Sequence, residues 1–118
     1  MGATYVTVTV RNPAEPKRAW EGEFLADTGA SHSIVPRRQL EAVGVAPQGR
    51  RVFEMADGSL IEFDLGLAIL SFMGEDSPSA VLFGADDAEP VLGLMTMQEV
   101  GVKVDPVNHC LERSKLRI

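Results

Sequence analysis

The stretch Phe24-Leu25-Ala26-Asp27-Thr28-Gly29-Ala30-Ser31 sets one carboxylate on a glycine turn directly after an apolar strand. Asp, Thr and Gly all favour turns, so the tripeptide alone fits an ordinary surface loop. Its surroundings do not. Ala19 to Ala26 reads as a strand running into the turn, and Ser33-Ile34-Val35 resumes as a short apolar strand after it, where a surface loop would continue polar. A carboxylate held between two strands is held in place. No second Asp-Thr-Gly or Asp-Ser-Gly occurs in the 118 residues.

Working outward, Thr4 to Val10 alternates with Val6, Val8 and Val10 on one face, the pattern of a half-buried strand, and the Pro-containing segment Asn12 to Lys17 connects it to the next. After the motif, Pro36 suits the first position of a helix of about two turns, Leu40 and Val43 share its face, and Gly44 suits its stop. Arg50 to Met55 and Ser59 to Leu65 alternate on either side of Asp57-Gly58, a pair that favours a tight hairpin turn with positive φ. Leu67 to Phe72 and Ala80 to Phe83 read as further strands around an exposed polar loop at Gly74 to Ser79, and Gly84 to Pro90 as an exposed acidic loop. Val91-Leu92-Gly93 leads into Leu94 to Val100, whose Leu94, Met97 and Val100 share a helical face before Gly101. Short strands at Val102 to Val104 and His109 to Glu112 follow around a turn at Asp105 to Asn108. Apolar strand, glycine turn and short helix thus occur twice in the same order. The expected architecture is mostly β with two short helices, a single domain over residues 1–118.

Composition narrows the function. Apolar residues at 45% and charged residues at 24% are those of a folded globular chain. A net charge of -6 with scattered Lys and Arg argues against nucleic acid, which is bound through clustered cations. The one cysteine, Cys110, cannot close an internal disulfide or build a Cys-based metal cage. No signal peptide is visible, and the longest apolar run, Leu65 to Leu70, is too short for a membrane span, so a cytoplasmic protein with no membrane partner is expected.

The chemistry of Asp27 follows from what a lone carboxylate lacks. Hydrolysing a peptide bond without metal or covalent intermediate takes one carboxylate to activate water and another to protonate the carbonyl oxygen. Two aspartates close together cannot both ionise cheaply, so they share a proton and perform both tasks. With one such motif per chain, the second must come from another chain. Gly29 permits the close approach, Thr28 carries a hydroxyl able to bond across to the other loop, and Ser31 has one able to orient Asp27.

On these residues the chain resembles the retropepsin-like aspartic proteases, the retroviral proteases and their single-domain bacterial and archaeal relatives. The resemblance covers most of the length: Phe24 to Val35 looks like the active-site loop with its flanking strands, Val52 to Phe63 like the flap, and Val91-Leu92-Gly93 with Leu94 to Val100 like the family's apolar-apolar-glycine motif and helix. It implies a closed, barrel-like acid-protease fold that acts as a homodimer, with Asp27, Thr28 and Gly29 as the catalytic element. It also implies a polypeptide substrate bound as an extended strand by the Gly29 region, Ala30, Ser31 and the flap residues Ala56, Asp57 and Gly58, with no cofactor and no metal. Where many retroviral members place an arginine that braces the active-site loop, this chain has Leu94-Met95. Retroviral termini also interleave in the dimer, a role open here to Gly2 to Tyr5 or Ser114 to Ile118.

Other residues read as structural. His32 is expected to face solvent, Asp86, Asp87 and Glu89 to be a solvated loop, and Asp57 to serve the hairpin turn. Met55, Met73, Met95 and Met97 are expected in the core and Trp20 beneath the sheet. Two rival functions stay open: a non-catalytic dimerisation or extended-peptide-binding module of the same fold, and a small monomeric β domain unrelated to proteases.

Overall fold

The computed structural model describes Gly2 to Leu116 and Ile118. The alternating valines form β1 (Tyr5–Arg11), which pairs antiparallel along its whole length with β2 (Ala19–Asp27). Val8 and Val10 turn inward to complete burial, as the period of two requires. β2 ends at Asp27, and β3 (Ser33–Pro36) resumes beyond the motif before α1 (Arg37–Ala42). Gly44, at φ +83, lets the chain leave α1 in the left-handed conformation that glycine adopts without penalty.

Next come β4 (Gly49–Glu54), β5 (Leu60–Phe72), β6 (Glu75–Gly84), β7 (Val91–Gly93) and α2 (Leu94–Val100). The neighbour order β1-β2-β7-β3-β6-β5, with β5 returning to β1 through Thr9 to Arg11, closes a ring of strands. β4 lies outside the ring, paired among the described residues with β5 alone, so the hairpin of β4 with the first half of β5 projects from the barrel, at the stretch where the sequence reading expects a flap. β8 (Val102–Asp105) and β9 (Cys110–Arg113) make a separate two-stranded hairpin after α2. Val8, Phe24, Leu40, Leu70, Leu92 and Met97 meet inside the ring, and Trp20 packs partly buried against this core beside Phe24.

Three details depart from the sequence reading. Gly66 does not interrupt a strand: β5 runs through it for 13 residues. A Cβ at Gly66 would lie 2.8 Å from the Phe83 ring and 3.0 Å from Val45, so the glycine serves close packing and not a turn. The loop expected at Gly74 to Ser79 is strand from Glu75 onward, with Ser77 buried, because the reversal takes only Met73 and Gly74, both at positive φ. Pro78 is tolerated because it lies ahead of the β6 segment, Val81 to Gly84, that pairs with β3. At the flap tip only Gly58 has positive φ, and the turn is closed by its N–H donating to the Met55 carbonyl at 2.9 Å.

Candidate active site

Asp27 is fixed by three local constraints. It is the last residue of β2, it sits opposite Gly93 in the parallel pairing of β2 with β7, and its Oδ1 accepts the Gly29 N–H at 2.8 Å. The Ala30 N–H returns to the Asp27 carbonyl at 3.2 Å, closing the turn. A carboxylate that accepts a backbone N–H two residues on is the usual way Asp organises a turn, and here it leaves the second oxygen available. Asp27 is half-buried, while Thr28 and Gly29 are exposed.

The loop after the motif is held from behind. The first two N–H groups of α2, at Leu94 and Met95, donate to the carbonyls of Ala30 at 2.8 Å and Ser31 at 3.1 Å. Gly93 permits this contact, since a Cβ there would lie 2.4 Å from the carbonyl carbon of His32. Both strand-glycine-helix units of the sequence therefore converge on one point.

Above the loop stands the β4–β5 hairpin. Its register pairs Phe53 with Ile61 and Arg51 with Phe63, which puts Phe53, Ile61 and Phe63 on one face. That face and the motif loop enclose an apolar hollow of about 310 Å³, lined by Gly29, Ala30 and Ser31 below and by Phe53, Met55 and Phe63 above. Phe53 and Phe63 meet edge-on at 5.9 Å, and the His32 ring meets Phe53 edge-on at 5.4 Å, a preferred aromatic arrangement. On the other side of the motif Thr28 borders a hollow of about 410 Å³, shared with Leu94, Met97, Val102 and Leu116.

At the flap base, Asp64 takes an ion pair from Arg37 at 2.5 Å and another from Arg50 at 3.4 Å. The hydrogen bond from Arg37 holds its carboxyl below the usual aspartate range, and Arg50 adds to the effect. Arg37 in turn lies over the Phe83 ring at 4.8 Å. At the tip, the Asp57 carboxylate accepts the Ser59 hydroxyl at 2.6 Å and the Ser59 N–H at 2.9 Å, which lower its pKa.

This barrel, with its flap over a loop that closes β2, has counterparts among solved structures. It superposes on the simian foamy virus (mac) protease with a TM-score of 0.53 at 16% identity, covering 80% of this chain and 91% of that one. On the EIAV protease, solved with the inhibitor HBY-793, the TM-score is 0.59 at 18% identity, covering 88% and 93%. The fold is retropepsin-like. No protein-family model and no curated protein matches the sequence.

Within this retropepsin-like frame the residues picked from sequence separate into two groups. Asp27, Thr28, Gly29, Ala30 and Ser31 lie together at the motif, with Gly29, Ala30 and Ser31 on the floor of the apolar hollow. Ala56, Asp57 and Gly58 are exposed at the flap tip, beyond the residues that line it. The roof is instead built by Phe53, Met55, Ile61 and Phe63, which alternation marked as strand residues but which only the hairpin register aims at Asp27's loop. Ser31 does not orient Asp27; its hydroxyl bonds His32 Nδ1 at 2.9 Å. His32 is half-buried against Phe53 and does not simply face solvent. Met97 is in the core and Met73 packs against it, but Met55 and Met95 are exposed. Asp86 accepts the Arg38 N–H at 3.0 Å and so serves the first turn of α1.

The N-terminal segment is tied into its own barrel: Thr4 is buried and its carbonyl accepts the Ala26 N–H at 2.9 Å. Beyond β9, the Ser114 N–H donates to the Gly101 carbonyl at 2.7 Å. Among the described residues no helix is long and apolar enough to cross a membrane.

Proposed function

We infer that this chain is one half of an aspartic endopeptidase, completed by a second copy that contributes its own Asp27. The observation that carries this reading is the junction at Asp27. There a carboxylate steadied by the Gly29 N–H stands beside an apolar hollow roofed by a hairpin, in a retropepsin-like fold. The two solved neighbours are named as proteases, and one of them holds an inhibitor.

In the completed site the two Asp27 carboxylates share one proton, because two like charges at close range do not both ionise at mild pH. The ionised member takes a proton from water as that water attacks the peptide carbonyl carbon, and the protonated member donates to the carbonyl oxygen. The substrate is a polypeptide in extended form, bound by backbone hydrogen bonds from the Gly29 loop and from the flap turn at Ala56 to Gly58. The hollow between Phe53, Phe63 and Ala30 takes a large apolar or aromatic side chain. Association through the motif side is supported by the exposed Thr28 and the exposed Leu116 beside it, which border one hollow of mixed polar and apolar lining.

The deciding experiment incubates the protein with a peptide library over acidic to neutral pH, beside the Asp27→Asn variant. Cleavage next to large apolar residues is expected for the parent. The variant should remain folded by circular dichroism and lose at least about a hundredfold in rate, the scale of a general acid or base. Cleavage that survives in Asp27→Asn overturns the mechanism, and peptide binding without cleavage in the parent favours a non-catalytic module.

A further inference from the structure

Leu94 and Met95 occupy the place where the resemblance would put a bracing arginine, and neither side chain has a hydrogen to donate. We propose that a chain of hydroxyls, with buried Ser33 at its head, buried Thr96 at its centre and half-buried Ser79 beyond, is the brace that positions the Asp27 loop. The proposal rests on the hydrolytic reading above, and Ser33 and Thr96 are positioning residues within it.

The bonding directions follow from the inventory of donors. The Gly93 N–H donates to Ser33 Oγ at 2.9 Å, and Ser33 Oγ lies 2.8 Å from Thr96 Oγ1. Thr96 Oγ1 donates to Ser79 Oγ at 3.4 Å, and Ser79 Oγ donates to the Ser77 carbonyl at 3.1 Å. A hydroxyl has one hydrogen. Because that of Thr96 goes to Ser79, Ser33 must be the donor in its bond to Thr96. Each link therefore runs the same way, from Gly93 through Ser33, Thr96 and Ser79 to Ser77. Ser33 is 0% exposed and Thr96 4%, and every buried side-chain N or O among the described residues has a partner. Removing the Thr96 hydroxyl would leave that of the fully buried Ser33 without its partner.

What the chain joins gives it its role. Ser77 and Ser79 belong to β6, Thr96 to α2, Ser33 to β3 and Gly93 to β7. Gly93 is the register partner of Asp27, and α2 supplies the two N–H groups that hold the carbonyls of Ala30 and Ser31. Thr96 thus pins the first turn of α2 where those donors meet the loop, and Ser33 pins the strand that carries the loop away. An arginine would do this with one long side chain. Here short ones do it in series.

The test compares Thr96→Val, which keeps shape and removes the hydroxyl, with Thr96→Ser, which keeps the hydroxyl. Amide hydrogen exchange at Leu94 and Met95 reads the brace without needing activity, and kcat with KM reads its effect on the loop. In Thr96→Val both the exchange and kcat should change by about tenfold, exchange faster and kcat lower, the factor that one ordinary hydrogen bond represents. KM should be unchanged, and Thr96→Ser should recover both. Parental exchange and parental kcat in Thr96→Val overturn the brace, as does a Thr96→Ser that behaves like Thr96→Val. If the parent cleaves nothing, the hydrolytic reading fails while the exchange comparison still decides the brace. Should Thr96→Val not fold, Ser79→Ala at the outer, longest link gives the same comparison: faster exchange at Leu94 and Met95 supports the brace, and unchanged exchange overturns it.

Discussion

At the scale of single residues, Gly93 is as demanding a position as Asp27. A Cβ there would stand 2.4 Å from the His32 carbonyl carbon and 2.6 Å from its oxygen, both backbone atoms that cannot swing aside. Gly93→Ala is therefore expected to cost about 1–3 kcal/mol or more of folding stability, read from the denaturation midpoint. Gly29→Ala meets only the Asp27 Oδ1 at 3.1 Å and should fold far better. Asp27 and Gly29 were legible in the sequence because their relationship is local, a hydrogen bond spanning two residues. Phe53, Met55, Ile61 and Phe63 were not, since their place opposite Ala30 depends on a hairpin register set more than twenty residues along the chain. The Ser33 to Thr96 pairing was hidden for the same reason, as hydroxyl residues carry no periodic signature.

At the scale of elements, the β4–β5 hairpin depends on the ion pairs at its root. Asp64 binds Arg37 of α1 and Arg50 of β4, so it ties the projecting hairpin to the barrel at its root. Its folded-state pKa lies below the ordinary value of 3.8. The stabilisation is thus fully present above pH 3.8 and is lost as pH falls through the lower folded value. Asp64→Asn should loosen this attachment above pH 3.8 and change nothing below the folded value, where the parent has lost the pair as well. Faster amide exchange in β4 than in β1, together with loss of the parent's acid-induced loosening below that range, is the expected pattern. The elements themselves were readable where local chemistry sets them, as with α2, which spans Leu94–Val100 and ends at Gly101 with φ +72. They were misjudged where glycine answers a distant neighbour, as Gly66 answers Phe83, and where one buried serine, Ser77, lies in a stretch whose composition resembles a loop.

At the scale of the whole molecule, several carboxylates act together in the response to acid expected of the fold. Asp57, Asp64 and Asp105 all have lowered pKa values, through the Ser59 hydroxyl, the Arg37 guanidinium and the Asn108 amide respectively. Each favours the folded chain above pH 3.8 and ceases to do so as pH falls through its lowered folded value, so melting temperature should hold from neutral pH to about 4 and decline beneath. Thermal melts from pH 7 to pH 2 check this; a decline beginning near neutrality would show that other groups control acid unfolding.

The closed ring carries one more consequence, for how the protein behaves at high concentration. A barrel whose strands return on themselves offers few free strand edges, so the edge of β4, outside the ring, is a natural place for another backbone to add. Val52 at 58% and Leu60 at 70% exposure give the flap an adhesive outer face, while Arg50, Arg51 and Glu54 along β4 supply the charges that keep edges apart. Solubility is thereby entrusted to the flap, and neutralising its arginines would invite chains to stack there before the barrel itself began to fail.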